Sequence, residues 1–293
     1  MTDLRKRILP SVQKPARYTG GEFNEIKKDL SQVRVRVAFC FPDTYEIGMS
    51  NLGMRILYGV MNRMEGVWCE RVFAPWGDME EAMRRNNLPL WALESQDPVK
   101  DFDMIAFTIG YEMCYTNILN MLNLAGVPLR ASERKGLKNI VFAGGVCAYN
   151  PEPLADFADV ILIGEGEEMN IEFYQVWADH LKRNHGKMNK KELLDEVVKI
   201  PGVYIPQFYD VSYDDATATV TVGDSASFVA GSNKLFIGNK EIELDVPAKL
   251  VNSRVYLPLR VLCEEVLGKK VYYNRGNGAG YQNPQGQGRR SRH

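Results

Sequence analysis

Three glycine-bearing loops, each set directly behind an apolar run of strand length, restrict what this chain can fold into more than any other feature. Asp43-Thr44-Tyr45-Glu46-Ile47-Gly48 follows Val33 to Phe41, Gly144-Gly145 follows Asn139 to Ala143, and Gly164-Glu165-Gly166-Glu167 follows Asp159 to Ile163. In an open parallel sheet, loops at the carboxyl ends of the strands share one edge, and ligands sit there because glycine lets backbone come close. The pattern predicts that Tyr45, Gly144 and Gly164 meet at a common rim of one sheet. On that reading the first half of the chain is a ligand platform.

The elements between these loops alternate in type. Val33, Val35, Val37 and Phe39 alternate with Arg34, Arg36 and Ala38 until Phe41-Pro42 ends the run, as in a strand whose start is partly exposed. Leu52, Ile56, Leu57, Val60, Met61 and Met64 then recur at helical spacing, with Ser50 or Asn51 placed to cap the helix. Further strands are predicted at Val67 to Phe73, Asp103 to Ile109, Asn139 to Ala143 and Asp159 to Ile163. Helices are predicted at Met79 to Arg85, Tyr115 to Leu124 (stopped by Gly126), Glu168 to Leu181 and Lys191 to Ile200. Such alternation implies right-handed crossovers, so residues 33–212 are expected to form a flavodoxin-like or Rossmann-like doubly wound α/β domain with a mainly parallel, five-stranded sheet.

The flanks read differently. Residues 1–32, with the turn-rich run Pro15-Ala16-Arg17-Tyr18-Thr19-Gly20-Gly21, form an arm rather than a core. From Ala216 to Val255 the chain is rich in alternating Thr and Val, with a turn at Gly238-Asn239 and no helix before Leu257 to Leu267. This predicts a second, small, mostly β (α+β) domain over 216–273. Residues 274–293, rich in Gly, Gln, Asn and Arg, are expected to be a disordered tail.

Charge and composition exclude several classes. A formal charge of -1, with 36 basic residues against 37 acidic ones, gives no polyanion-binding face, so no nucleic-acid partner is expected. The charged start, Met1 to Arg17, has no apolar run fit for a leader or membrane span, and a cytoplasmic location without membrane contact is expected. Cys40, Cys69, Cys114, Cys147 and Cys263 are scattered and contain no cluster motif, which suggests reduced, mostly buried thiols rather than zinc or iron-sulfur ligands. His180, His185 and His293 are expected at solvated surface.

The motifs together carry a family likeness. Pro15-Ala16-Arg17-Tyr18, the run Phe41 to Gly53, Glu70-Arg71-Val72-Phe73-Ala74-Pro75-Trp76, Tyr115 to Leu122, Ala143-Gly144-Gly145, Asn150-Pro151-Glu152-Pro153 and Gly164-Glu165-Gly166-Glu167 stand in collinear order. This series resembles the cobalamin-binding-like N-terminal region of a subgroup of radical S-adenosylmethionine (SAM) proteins. The resemblance implies a corrin over the carboxyl edge, with Asp43, Thr44, Tyr45, Glu46 and Gly48 beneath cobalt, Thr108, Gly110, Gly144 and Gly145 along the nucleotide tail, and Gly164, Glu165 and Gly166 completing the rim. Residues 227–272, including Ile242 to Ala248, Val251 to Arg260 and Glu264 to Val271, resemble the copper amine oxidase N-terminal-like domain, a stalk-type module. No copper is expected there, since the stretch has no His. Relatives of that module are usually exported, so the pairing reads as a fusion or a truncated reading frame.

Two departures matter. Related cobalamin loops carry Asp-x-His-x-x-Gly, whose His ligates cobalt; here Tyr45 stands in that place, and a neutral phenol with an ordinary pKa near 10 is a poor ligand. Either a corrin binds without a lower ligand or the rim holds none. The Cys-x-x-x-Cys-x-x-Cys motif of the catalytic barrel is also missing, so this chain carries no complete catalytic site and no iron-sulfur cluster motif. Two functions stay open: a corrin carrier cut from its catalytic barrel, or a ligand-free scaffold whose partner is a radical SAM catalytic domain or another protein. Dinucleotide binding is weaker, because Glu165 and Glu167 flank the glycines that would face a pyrophosphate. Structural duties compete at each position: Asp43 and Glu46 suit helix capping or arginine pairing, Tyr45 suits packing, and the glycine pairs suit tight turns.

Overall fold

The computed structural model describes residues 2–209 and, beyond them, 211–214, 219–222, 226–229, 231–237, 240–244, 247, 249–251, 254–256, 270–274 and 278–282. The chain divides into two compact units, Met1–Pro206 and Gln207–His293. In the first, β1 (Val35–Phe41), β2 (Val67–Phe73), β3 (Met104–Thr108), β4 (Ile140–Gly144), β5 (Val160–Leu162) and β6 (Val203–Tyr204) form one sheet in the order β2-β1-β3-β4-β5-β6. The first five strands are parallel and β6 runs antiparallel to β5. This is the flavodoxin-like order, extended by one short strand. Its topological switch point lies between β1 and β3.

Helices α1 (Thr2–Ile8), α2 (Tyr45–Ser50), α3 (Leu52–Arg63), α4 (Gly77–Arg85), α5 (Tyr115–Ala125), α6 (Gly166–Arg183) and α7 (Lys190–Val197) complete the unit. α3 packs against α6, and α4 against α5, the pairing that right-handed crossovers produce with this strand order. Sequence period explains the core. Val35, Val37, Phe39 and Phe41, at every second position of β1, share one cluster with Met54, Tyr58 and Met61 of α3 and with Phe173 and Trp177 of α6. Each such side chain contributes about 1.5–3 kcal/mol by leaving water. Asn51 caps α3 by accepting the Met54 N–H at 2.9 Å, and Gly126, at φ +70°, closes α5.

The helix and strand expectations for this unit hold to within a few residues at their ends. β6 lacks a clear sequence signal because two residues carry no periodicity. The edge of β2 also has a cover that patterning does not show: the Leu93 N–H donates to the Arg71 carbonyl at 2.9 Å, and the Glu94 carboxylate accepts the Arg71 N–H at 2.7 Å. An exposed edge strand would pair with other chains, and residues 93 and 94 blunt it.

The arm is ordered and docked. Ile8, Val12 and Tyr18 are buried, the Trp68 Nε1–H donates to the Ile26 carbonyl, and the Trp76 N–H donates to the Tyr18 hydroxyl. One expectation is corrected. His180 is fully buried, because it continues the stripe Met169, Phe173, Trp177 on the inner side of α6, and its Nε2 accepts the Asn189 N–H at 3.2 Å. His185 is exposed, as expected. Cys40, Cys69 and Cys114 are buried, Cys147 is half-buried, and all four are free.

In the second unit β7 (Val211–Asp214), β8 (Thr219–Val222), β9 (Ala226–Val229), β10 (Lys234–Ile237) and β11 (Lys240–Glu243) form an antiparallel sheet in the order β11-β10-β9-β8-β7. Ala226, Phe228, Leu235 and Leu244 form its buried cluster. β12 (Lys249–Val251) pairs with β13 (Arg254–Tyr256), and β14 (Lys270–Asn274) with β15 (Gly278–Gln282), the last within the stretch expected to be a disordered tail. The predicted Gly238-Asn239 turn, the helix over Leu257 to Leu267, Cys263 and His293 lie outside the described residues.

Candidate functional site

The predicted rim exists. The segments bearing Asp43 to Gly48, Thr108 to Gly110, Gly144-Gly145 and Gly164 to Gly166 stand at the ends of β1, β3, β4 and β5, four parallel neighbours of one sheet, and therefore share its carboxyl edge; the first was expected as a loop, yet from Tyr45 it is helix α2. Thr108 ends β3, half-buried, and lies in register with Gly144 at the end of β4.

What the rim residues do there is mostly structural. Thr44 stands extended before α2, and its carbonyl accepts the Gly48 N–H at 3.0 Å. Tyr45 turns toward the core and the arm: its ring meets Phe73 edge-on at 5.5 Å and its hydroxyl donates to Glu22. Burial and the neighbouring Glu22 carboxylate push its phenol up to about 12. Glu46 accepts hydrogen bonds from Arg17 at 2.8 and 2.9 Å and from Lys14 at 3.1 Å, and the Arg17 guanidinium holds its carboxyl down to about 2. This is the arginine pairing that its residue type suits, and it fastens the arm.

The glycines answer to sterics. A β-carbon on Gly48 would overlap the Phe73 ring, and one on Gly166 would come within 3.2 Å of Leu57 on α3. Gly145, at φ +110°, lies so near the next loop that a β-carbon would sit 2.8 Å from the Ile109 carbonyl oxygen and 2.9 Å from its nitrogen. Gly164 adopts φ +140°, which only glycine takes readily, and Glu165 stands extended before α6. Gly110 is different, since no atom lies within 4 Å of where a β-carbon would stand.

Across the switch point, the Tyr111 hydroxyl donates to Asp43 at 2.7 Å and the Asn117 amide to the Pro42 carbonyl at 2.9 Å. Asp43 also accepts the Thr44 N–H at 2.7 Å. Tyr111, Lys14 and Glu22 escape sequence reading, and Arg17, Phe73 and Ile109 appear there without a role at the rim, because only folding brings them to this edge. Large side chains with apolar bodies are exposed after these strands: Ile47 and Leu52 behind β1, Trp76 behind β2, Tyr111 and Met113 behind β3, and Val146 behind β4. Met113 is 83% exposed and Val146 74%.

The family model described as radical SAM proteins, N-terminal, matches residues 53–206, more than half of the chain. The chain belongs to that family. A second model, described as copper amine oxidase N-terminal domain, matches residues 201–281. An uncharacterized protein of Methanocaldococcus jannaschii is 27% identical over 137 residues, 46% of this chain and 25% of that protein, so this radical SAM N-terminal chain matches about a quarter of its relative's length. No solved structure matches the chain. Among the described residues no cluster of three or more His, Cys, Asp or Glu could hold a metal ion, and no helix is long and apolar enough to cross a membrane.

A corrin fits these residues poorly. No nitrogen donor stands at position 45, and the phenol there is already bonded to Glu22. The space that Gly145 leaves is taken by the Ile109 backbone, and the Asp43–Tyr111 bond spans the crevice between β1 and β3.

Proposed function

We propose that residues 1–206 serve as a docking platform, holding a radical SAM catalytic domain across the carboxyl edge of the sheet, and that the chemistry belongs to that domain. The observation that carries this reading is the exposure of the large side chains of Ile47, Leu52, Tyr111, Met113 and Val146, which follow three different strands at their carboxyl ends. Several large apolar side chains left exposed at one edge of a folded domain suit contact with another molecule. Large apolar side chains around polar bridges suit the buried centre of a protein interface. Family membership supports this choice of occupant: the matched family is the N-terminal portion of radical SAM proteins, and the match covers a quarter of the Methanocaldococcus relative.

The corrin-carrier reading keeps one supporting observation, the open space at Gly110 beside Thr108. One experiment separates the two. The full chain is mixed with a separately produced catalytic domain from a radical SAM relative and titrated by calorimetry, alone and as the Met113→Asp/Val146→Asp variant. A parallel sample is incubated with hydroxocobalamin and desalted. Binding that falls at least tenfold in the variant, about 1.4 kcal/mol, with no corrin absorption retained, is expected. Retained corrin absorption, or binding indifferent to the two aspartates, overturns the docking reading.

A further inference from the structure

The carboxyl edge of the sheet is one-sided in charge. After β1 to β5, residues 42–51, 74–78, 109–114, 145–151 and 163–168 carry Asp43, Glu46, Asp78, Glu112, Glu165, Glu167 and Glu168, and not one Lys, Arg or His. The whole chain is nearly balanced, at a formal charge of -1, so this is a local bias rather than an acidic composition. At the opposite edge the loop into β4 carries Arg130, Arg134, Lys135 and Lys138 against Glu133. Cations that reach the carboxyl edge come from other elements: Lys14 and Arg17 of the arm, both bonded to Glu46, and Arg55 of α3, beside Gly48 and Met49.

Some of these acids have duties inside the fold. Asp43 accepts the Thr44 N–H and the Tyr111 hydroxyl, Glu46 holds the arm, and Asp78 accepts the Gln13 N–H at 2.6 Å. Glu167 and Glu168, exposed in the first turn of α6, favour the positive end of the helix dipole. Glu112 has no such duty: it is exposed, stands next to Met113 and forms no ion pair among the described residues. Neighbouring groups register the negative field. The hydrogen bond to Asp43 pushes the Tyr111 phenol up, burial raises the Cys114 thiol with the Asp43 charge adding to it, and burial raises Cys147 with the Glu112 charge adding to it. The Glu112 carboxylate is thus felt on the loop that carries Val146. Among the described residues no three acids converge to hold a metal ion, so the counter-charge suits a broad surface rather than a bound cation. Acids of one sign beside exposed apolar side chains favour a partner that supplies the opposite sign.

We propose that the partner received at this edge presents a basic surface, whose Lys or Arg side chains lie against Glu112, Glu167 and Glu168 while its apolar groups meet Met113 and Val146. This rests on the docking reading above and adds the charge of the partner to it. Charge sign at one position tests it. Met113→Asp and Met113→Lys remove the same side chain, which is 83% exposed, and differ in the charge they install; circular dichroism checks that both remain folded. Each full-length variant is titrated by calorimetry with the separately produced radical SAM catalytic domain. At about 0.1 M salt, where charges act over about 10 Å, Met113→Lys should bind at least about threefold more weakly than Met113→Asp, and at about 1 M, where their reach is about 3 Å, the gap should close. Glu112→Gln should weaken binding about threefold at the lower salt and leave it unchanged at the higher. Equal binding by the Lys and Asp variants, or tighter binding by the Lys variant, overturns the basic partner, while the docking reading stands so long as either substitution weakens binding. Binding that neither substitution weakens, or no binding by the unaltered chain, overturns the docking reading and this inference with it.

Discussion

The two ends of the six-stranded sheet are chemical opposites. At the amino end, charge is buried: Arg134 and Asp159 are 0% and 1% exposed, and Lys190 lies over them. The five donors of Arg134 meet the Asp159 carboxylate (from Nε at 3.2 Å and Nη2 at 3.1 Å) and the carbonyls of Pro128, Leu129 and Phe157. The three Lys190 donors meet Asp159 at 2.9 Å and the carbonyls of Arg134 and Asn139. Burial lowers the Lys190 ammonium, and Asp159 pushes the other way. At the carboxyl end the pattern reverses, with apolar Met113 and Val146 in water. A buried polar network with its donors met pins β4, β5 and α7 in register. Apolar groups left in solvent stabilise nothing in the isolated unit, and that contrast separates what folds this protein from what it presents to others.

The largest effect should come from breaking the amino end. Asp159→Ala strands two buried cations and also deprives the Val141 N–H of its 2.8 Å acceptor. Removing one partner of a buried ion pair typically costs about 3–5 kcal/mol, a large part of the roughly 5–15 kcal/mol that holds a domain together. Urea unfolding followed by circular dichroism measures it. A loss under about 1 kcal/mol, the ordinary scale for an exposed pair, would mean that this network does not pin the sheet.

A smaller effect tests why the carboxyl end needs its glycines. Gly145→Ala forces a side chain into φ +110° and against the Ile109 backbone, at about 1–3 kcal/mol. Gly110→Ala meets open space and should stay within about 0.5 kcal/mol. Equal melting temperatures for the two variants would remove the steric account of Gly145 and return that position to the ligand reading.

These contrasts also mark what sequence could and could not show. Strands β1 to β5 and helices α3 to α7 were legible because alternation and helical spacing record which face is buried, and the glycine loops fixed a common rim because parallel strands end together. The direction in which a rim side chain turns was not legible. Tyr45 in the place of a ligating His raised the question, yet only the docked arm supplies Glu22, and only β2 supplies Phe73. His180 misled because its polarity outweighed its position, three residues after Trp177 on the apolar stripe.

The smallest effect on folding should come from the rim. Met113→Asp and Val146→Asp replace side chains that already stand in water, so each should shift stability by no more than about 0.5 kcal/mol, in urea titrations run beside Asp159→Ala. That near-silence is informative because these substitutions are also expected to weaken binding of a catalytic domain at least tenfold. A surface that folding does not need but association does is what an interface looks like in its free form. Should the two aspartates instead unfold the protein as Asp159→Ala does, the loops behind β3 and β4 would have to pack against the chain itself, and the two ends of the sheet would cease to differ in kind.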